Sequence, residues 1–368
     1  MLTILATLIA FAAHADDGLM LDFAGADANA MAIDFHALPL LEGDHAVVTT
    51  GDPEWQFRLH SYLAFFDGKY WCMWSHGPRV EDHPTQHIRF ATSEDGLVWS
   101  APQILVGPSD KEGFRYIARG MWIRDGKLLA LASHDEAYKN GRVHFFGPSL
   151  ELHCFEWQPD QETWTPLGVM FDDAINNFAP KQLPSGEWAM TRRDHKRAVY
   201  LLIGGVDSPL DWESIPISGY RFEDGAMPEE PYWWTLPDGR LAGIFRDNNK
   251  SKRLYRAFSS DNGRTWSQPV RTNFPDATSK FNAVQLDDGR YVLVSNANPA
   301  GRNPLCLSVS GDGLVFTAIA RLPIPAGEDD TLQYPHVIAQ DNHLLIAFSR
   351  NKTEIEVVKV PLEAVPQP

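Results

Sequence analysis

Cysteine is scarce in this chain: Cys72, Cys154 and Cys306 are the only 3 among 368 residues. They are widely spaced and odd in number, which fits neither a zinc-binding pattern nor a disulfide framework. They read as buried free thiols, with a pairing between two of them left open. Basic residues are also in deficit, 32 Lys and Arg against 48 Asp and Glu, for a formal net charge of −16. That balance argues against nucleic acid as a partner, because phosphate binding needs a basic surface. The densest histidines, His76, His83 and His87, lack helical metal-ligand spacing, so no metal and no cofactor are expected. Long apolar runs are missing too. The longest, "MLTILATLIAFAAHA" at residues 1–15, is short for a membrane span, and none is expected. It ends in Ala13-His14-Ala15, the A-x-A form of a secretory cleavage site. A secreted or periplasmic protein, cut near Ala15, is predicted.

What the chain does contain is turns and core. Hydrophobic content is 44%, 12 residues are Trp, and 27 Gly with 26 Pro favour many turns over long helices. One apolar–turn–apolar unit recurs: "LAFFDGKYWCMWS", "MWIRDGKLLALAS", "KQLPSGEWAMTRR", "WTLPDGRLAGIFR", "VQLDDGRYVLVSN" and "VIAQDNHLLIAFS". Their turn residues are Gly68, Gly126, Gly186, Gly239, Gly289 and Asn342, spaced by 58, 60, 53, 50 and 53. Asn342 belongs in the series because Asn, like Gly, tolerates the left-handed backbone such turns need. Six hairpins at this period, each followed by room for two more strands, predict an all-β fold. It is a six-bladed β-propeller of four-stranded antiparallel blades. The expected organisation is a signal peptide at 1–15, an N-terminal segment at 16–45, the propeller at 46–362 and a tail at 363–368.

A second motif follows some hairpins. "SSDNGRTW" at 259–266 has the form S-x-D-x-G-x-x-W, and "SEDGLVW" and "SGDGLVF" are one residue shorter. These resemble the Asp box, a turn between the outer two strands of a blade. Its Asp and Ser cap the turn backbone and its aromatic packs into the blade. Asp95, Asp261 and Asp312 are therefore expected to be structural.

Strand direction sorts the remaining polar residues. If the hairpin turns lie on a lower face, the innermost strand of each blade begins, and the second strand ends, on the upper face. Arg58, Glu230 and Tyr334 fall at the start of innermost strands, ten, nine and eight residues before their turns. Arg246 ends the second strand of blade 4, and Asp82 and Arg302 lie in upper connections of blades 1 and 5. The residue seven after each turn is Ser75, Ser133, Arg193, Arg246, Asn296 or Ser349, polar in every blade. Arg119, Arg192, Asp194, Asp247, Lys280, His336 and Arg350 are further candidates for this mouth.

Over about residues 50–360 these segments resemble the exo-sialidases (neuraminidases), the six-bladed, Asp-box-bearing glycoside hydrolases. "FRLHSYLAFFDGKYW" is similar to that family's F-R-I-P strand, which implies Arg58 as the first carboxylate-binding arginine. The family's acid/base aspartate corresponds to Asp82. "EPYWWTLPDGRLAGIFR" resembles the segment bearing a glutamate and the second arginine, here Glu230 and Arg246. "NANPAGRNPLCLSVSGDG" implies Arg302 as the third, and "YPHVIAQDNHLLIAFSR" implies Tyr334 as the nucleophile. The pattern is broken at His60, where the family has Pro, at Glu229, and at Pro335-His336.

The residue types suit the implied chemistry. A sialic acid carries a carboxylate on its anomeric carbon, which guanidiniums can hold. A neutral phenol approaches that centre more readily than a carboxylate nucleophile would. The phenol needs a base, for which Glu230 serves, while Asp82 would protonate the leaving oxygen and then activate water, with net retention. The reading is a retaining exo-glycosidase releasing terminal sialic acid or a related carboxylated sugar from a glycan, acting as a monomer. Arg119, Arg193, Asp247 and His336 are expected to help bind the sugar. Two alternatives are a glycosidase or lyase of the same superfamily acting on a uronate-containing or sulfated polysaccharide, and a non-catalytic carbohydrate-binding propeller.

Overall fold

The six hairpin turns all form, with φ from 59° at Asn342 to 90° at Gly289, in the left-handed region that selected Gly and Asn there. The computed structural model describes residues 18–23, 30–139, 142–143 and 146–368. The predicted signal peptide at 1–15 lies outside the described residues. Each hairpin supplies the two inner strands of a four-stranded antiparallel sheet, and six such sheets form a six-bladed propeller.

Blade 1 runs Phe57–Phe66, Lys69–Gly77, His87–Ser93 and Gln103–Val106 from the axis outward. In blade 2 the first three strands are Phe114–Arg124, Lys127–Glu136 and Glu151–Gln158, and in blade 3 the second is Trp188–Arg193. Blade 4 begins with Pro228–Thr235 and Leu241–Asp247, and blade 5 with Asn282–Gln285 and Tyr291–Ser295. Blade 6 is closed from the other end of the chain: Asp44–Thr49 pairs as its outermost strand with Glu354–Pro361, outside His343–Arg350 and Leu332–Gln340. This joins the beginning and end of the ring through backbone hydrogen bonds.

The core lies between blades. Cys72 and Trp74 of blade 1 pack with Leu345, Ala347 and Val357 of blade 6, and Tyr62, Met73 and Phe90 meet Met121 and Leu128 of blade 2. Fully burying one such large apolar side chain contributes about 1.5–3 kcal/mol. All three cysteines are buried and free, as their spacing predicts. Among the described residues no helix is long and apolar enough to cross a membrane.

The three Asp boxes join the third and fourth strands of blades 1, 4 and 5. In blade 4 the Asp261 carboxylate accepts the Thr265 N–H at 2.8 Å and the Thr265 hydroxyl at 2.6 Å, while Trp266 donates to the Gly263 carbonyl at 3.0 Å. The Thr265 hydroxyl bond, followed by the backbone bonds, holds Asp261 at about 2, below the ordinary 3.8. Because the folded value is the lower one, the stabilisation is complete above about pH 4 and is lost as pH falls toward 2. Asp261→Ala should therefore lower the melting temperature by a few degrees at pH 7, and the gap should narrow at pH 3. Turnover per folded molecule should be unchanged. A gap of equal size at both pH values would show that the carboxylate is not its source.

Candidate active site

Two local devices aim side chains at the upper face. The first is a break in the innermost strands: the register slips between Leu59 and Tyr62, between Glu229 and Tyr232, and between Gln333 and His336. At these breaks His60, Glu230 and Tyr334 have φ of 56°, 47° and 56°. Such backbone is uncommon for residues with a Cβ and costs on the order of 1 kcal/mol each. A bulge re-aims its side chain out of the strand's alternation, and all three line one central cavity.

The second device holds the bulges in place. The polar residues seven after each turn are all buried. Ser349 Oγ donates to the Arg58 carbonyl at 2.6 Å, and Asn296 Nδ2 to the Leu332 carbonyl at 2.8 Å. Ser75 Oγ accepts the Ala118 N–H at 3.0 Å, and Arg246 donates to the Thr278 carbonyl at 2.8 Å. Each bond runs from the second strand of one blade to the innermost strand of the next, or to the segment leading into it. At these four positions the polar side chain serves a backbone group of the next blade, while Ser133 and Arg193 serve the Arg119 and Glu229 side chains instead.

The cavity measures about 210 Å³ and brings together Tyr334, Glu230, Asp82, Arg246, Arg119 and Arg193. Arg246 Nε stands 2.8 Å from Glu230 Oε2, and both side chains are buried. Burial acts to lower the Arg246 pKa, but Glu230 and then Tyr334 outweigh it and hold the group above its ordinary value. Burial, then the Glu230 charge, pushes the Tyr334 phenol well above the usual tyrosine range. Three cations surround its ring, with the Lys280 ammonium 5.5 Å and the Arg302 and Arg246 guanidiniums 5.8 and 6.0 Å from the centroid. Arg302 donates to the same Thr278 carbonyl as Arg246, at 2.7 Å, and to Gln333 Oε1 at 2.6 Å. The two guanidiniums are thus fixed side by side, with Arg246 lining the cavity and Arg302 outside its lining.

Asp82 reaches the cavity from the upper connection of blade 1. Burial pushes its carboxyl up to about 6, against the pull of Arg115. Arg115 is fully buried, pairs with Asp82 and is itself held by Asp135 at 2.9 Å. Arg119 donates to Ser133 Oγ at 2.8 Å and to Asn177 Oδ1 at 3.0 Å, and Arg193 Nε meets Glu229 Oε1 at 2.6 Å. Lys280 is fully buried, and burial lowers its ammonium to about 7.

Other candidates lie elsewhere. Arg58 does not line the cavity: its guanidinium donates to the Trp55 carbonyl at 2.5 Å and reaches Thr49 Oγ1 at 3.4 Å, toward the ring closure. Asp247 caps a loop, accepting the Met227, Asn249 and Ser251 N–H groups at 2.8 Å each. His336 points to the lower face, where Nδ1 accepts the Leu63 N–H at 3.1 Å and burial holds the ring at about 3. There it lines a larger cavity of about 590 Å³ with Trp233 and Trp234. Arg192 stacks on Tyr200, Asp194 accepts the Ala198 N–H, and Arg350 pairs with Asp330 and Glu356.

His60 and Asn177 line the cavity and were missed by strand-start reasoning. A signal was present: His60, Asn177, Glu230, Lys280 and Tyr334 all stand eight or nine residues before their turns. Arg58, at ten, precedes the bulge that turns His60 inward. Nothing local in the sequence pointed to the Asp82–Arg115–Asp135 chain, whose members come from two blades.

Comparison with known proteins gives the same architecture. The model of the BNR repeat-like domain family matches residues 68–346. No curated protein matches the chain. Among solved structures, a protein of unknown function from Dyadobacter fermentans aligns with TM-score 0.69 and 15% identity, covering 87% of this chain and 99% of that one. The NanB sialidase from Streptococcus pneumoniae aligns with TM-score 0.66 and 14% identity, over 87% of this chain and 71% of that one. Trypanosoma rangeli sialidase in complex with the inhibitor DANA aligns with TM-score 0.63 and 16% identity, over 83% of this chain and 55% of that one. At these identities the likeness is one of fold.

Proposed function

Because the chain belongs to the BNR repeat-like domain family and is built on a sialidase-like propeller, we propose that it is a retaining exo-glycosidase for terminal sialic acid or a closely related carboxylated sugar. One observation carries this reading: a tyrosine, a glutamate and an aspartate from three blades share one small cavity with Arg246, Arg119 and Arg193. A binding module would need the cations but not this set.

The chemistry follows from the surroundings of each group. The sugar carboxylate would lie against the adjacent Arg246 and Arg302 guanidiniums. Glu230 takes the Tyr334 proton as the phenol oxygen bonds to the anomeric carbon. The nearby cations reduce the cost of negative charge on an oxygen that burial otherwise keeps protonated. The departing glycosidic oxygen takes its proton from Asp82. Asp82, now a carboxylate, removes a proton from water, whose oxygen displaces Tyr334 with a second inversion, and Glu230 returns the phenolic proton.

The outward course of Arg58 favours one second reading. With two cations side by side where the resemblance implied three, and Arg193 tied to Glu229, the cavity also suits another acidic sugar such as a uronate. A panel of fluorogenic sialosides and uronosides separates the two. Turnover of sialosides alone supports the first reading, of uronosides alone the second, and of neither a binding role.

Arg302→Ala should weaken binding of a carboxylated ligand by about ten- to a hundred-fold and of its amide far less, as expected for a lost charge-assisted contact. Arg58→Ala should lower the melting temperature and leave the ratio of acid to amide affinity unchanged. Isothermal titration of both variants with acid and amide checks this. A change in that ratio for Arg58→Ala would place Arg58 back among the carboxylate ligands.

A further inference from the structure

We propose that His134, Glu151 and His153 form a binding site for a divalent cation of the zinc class, on the upper outer part of blade 2 and apart from the sugar cavity. Glu151 and His153 are two apart on the third strand and so share a face, and His134 is the direct cross-strand partner of Glu151 on the second. One ligand atom from each lies within 4.8 Å of the others. His153 Nε2 is 2.8 Å, and His134 Nδ1 3.8 Å, from the same Glu151 oxygen. Three ligands around tetrahedral zinc stand about 3.3 Å apart, given metal–ligand distances of about 2.0–2.1 Å. Small side-chain rotations therefore bring the three to bonding distance.

An independent observation points to a missing cation. His134 is 3% exposed, and its Nδ1 has no hydrogen-bond partner although it faces the Glu151 carboxylate. The other ring nitrogen, Nε2, is engaged by Ser109 Oγ at 2.9 Å, and the ring is clamped by stacking on Tyr116 with centroids 4.4 Å apart. In the tautomer that donates from Nε2 to Ser109, Nδ1 presents a bare lone pair to a carboxylate. A metal ion placed between them would accept that lone pair and balance the carboxylate. Ser109 then acts as the outer partner that fixes the ligand's tautomer, as metal-bound histidines commonly have. Glu151 and His153 are partly exposed, leaving a fourth position open to water. Two imidazoles and one carboxylate suit zinc over magnesium or calcium. The three ligands come from two strands, so helical spacing could not reveal them. Lys111, whose charge also acts on Glu151 and His134, is the nearby cation that a bound metal must outcompete.

The test uses the whole protein, stripped with a chelator and titrated with Co²⁺ and then Zn²⁺. One equivalent of Co²⁺ should give the visible d–d absorption of a low-coordinate site, which Zn²⁺ should erase, and Zn²⁺ should raise the melting temperature. Glu151→Gln and His153→Gln, on partly exposed side chains, should abolish the band while keeping the wild-type circular dichroism. Ser109→Ala should weaken binding by about ten- to a hundred-fold. Absence of the band in the wild type, or a band that persists unchanged in His153→Gln, overturns the proposal.

Discussion

Tyr334→Phe is expected to lower kcat on a sialoside by on the order of 10³-fold or more, with the fold and substrate affinity close to wild type. The substitution removes only the phenolic oxygen. The ring remains in its contact with Phe57 and Leu59, and the three surrounding cations keep their places. Glu230→Gln should cost nearly as much, because burial holds the phenol protonated and the variant leaves it without a base. Adding Glu230→Gln to Tyr334→Phe should then cost little more, as for two residues serving one step. Steady-state kinetics on the two single variants and the double variant check this. Multiplying losses in the double variant would mean that Glu230 acts independently of Tyr334.

Asp82→Asn should lower kcat by about 10²- to 10⁴-fold for an alkyl aglycone, the range of a positioned general acid. The loss should be much smaller for 4-nitrophenolate, which leaves without a proton. The sign of the pH dependence follows from the raised value. The acid acts when protonated, and burial keeps Asp82 protonated up to about pH 6. Wild-type kcat/KM should thus fall as pH rises through about 6, and the variant should lose that limb. A limb that persists in Asp82→Asn would assign the titration to another group.

The propeller was legible because its hairpin turns demand left-handed backbone, which only Gly and Asn supply cheaply, and the six such residues recur at a regular period. The polar position seven after the turn was legible as a pattern, but its role was not: Ser75, Asn296 and Ser349 serve the bulged strand of the neighbouring blade. Arg58, Glu230 and Tyr334 were all placed by their offset from the turn, and Arg58 by motif likeness as well, but at ten residues it falls ahead of the bulge. The bulge at His60 turns side chains over within two residues, and a sequence motif does not record it. Arg115 and Asp135 were invisible because their ion pairs join residues distant in sequence. His336 was expected at the mouth, yet the strand carries it two residues beyond Tyr334, onto the lower face.

The most direct measurement is to treat the protein with a 3-fluoro-sialosyl fluoride, whose fluorine slows breakdown of a covalent glycosyl–enzyme, and to digest it for peptide mass mapping. Wild type should gain the mass of one fluorinated sugar on the peptide containing Tyr334, and Tyr334→Phe should gain none. A protein that hydrolyses sialosides yet forms no adduct, that carries it on another residue, or whose first product has inverted anomeric configuration, would contradict Tyr334 as the nucleophile.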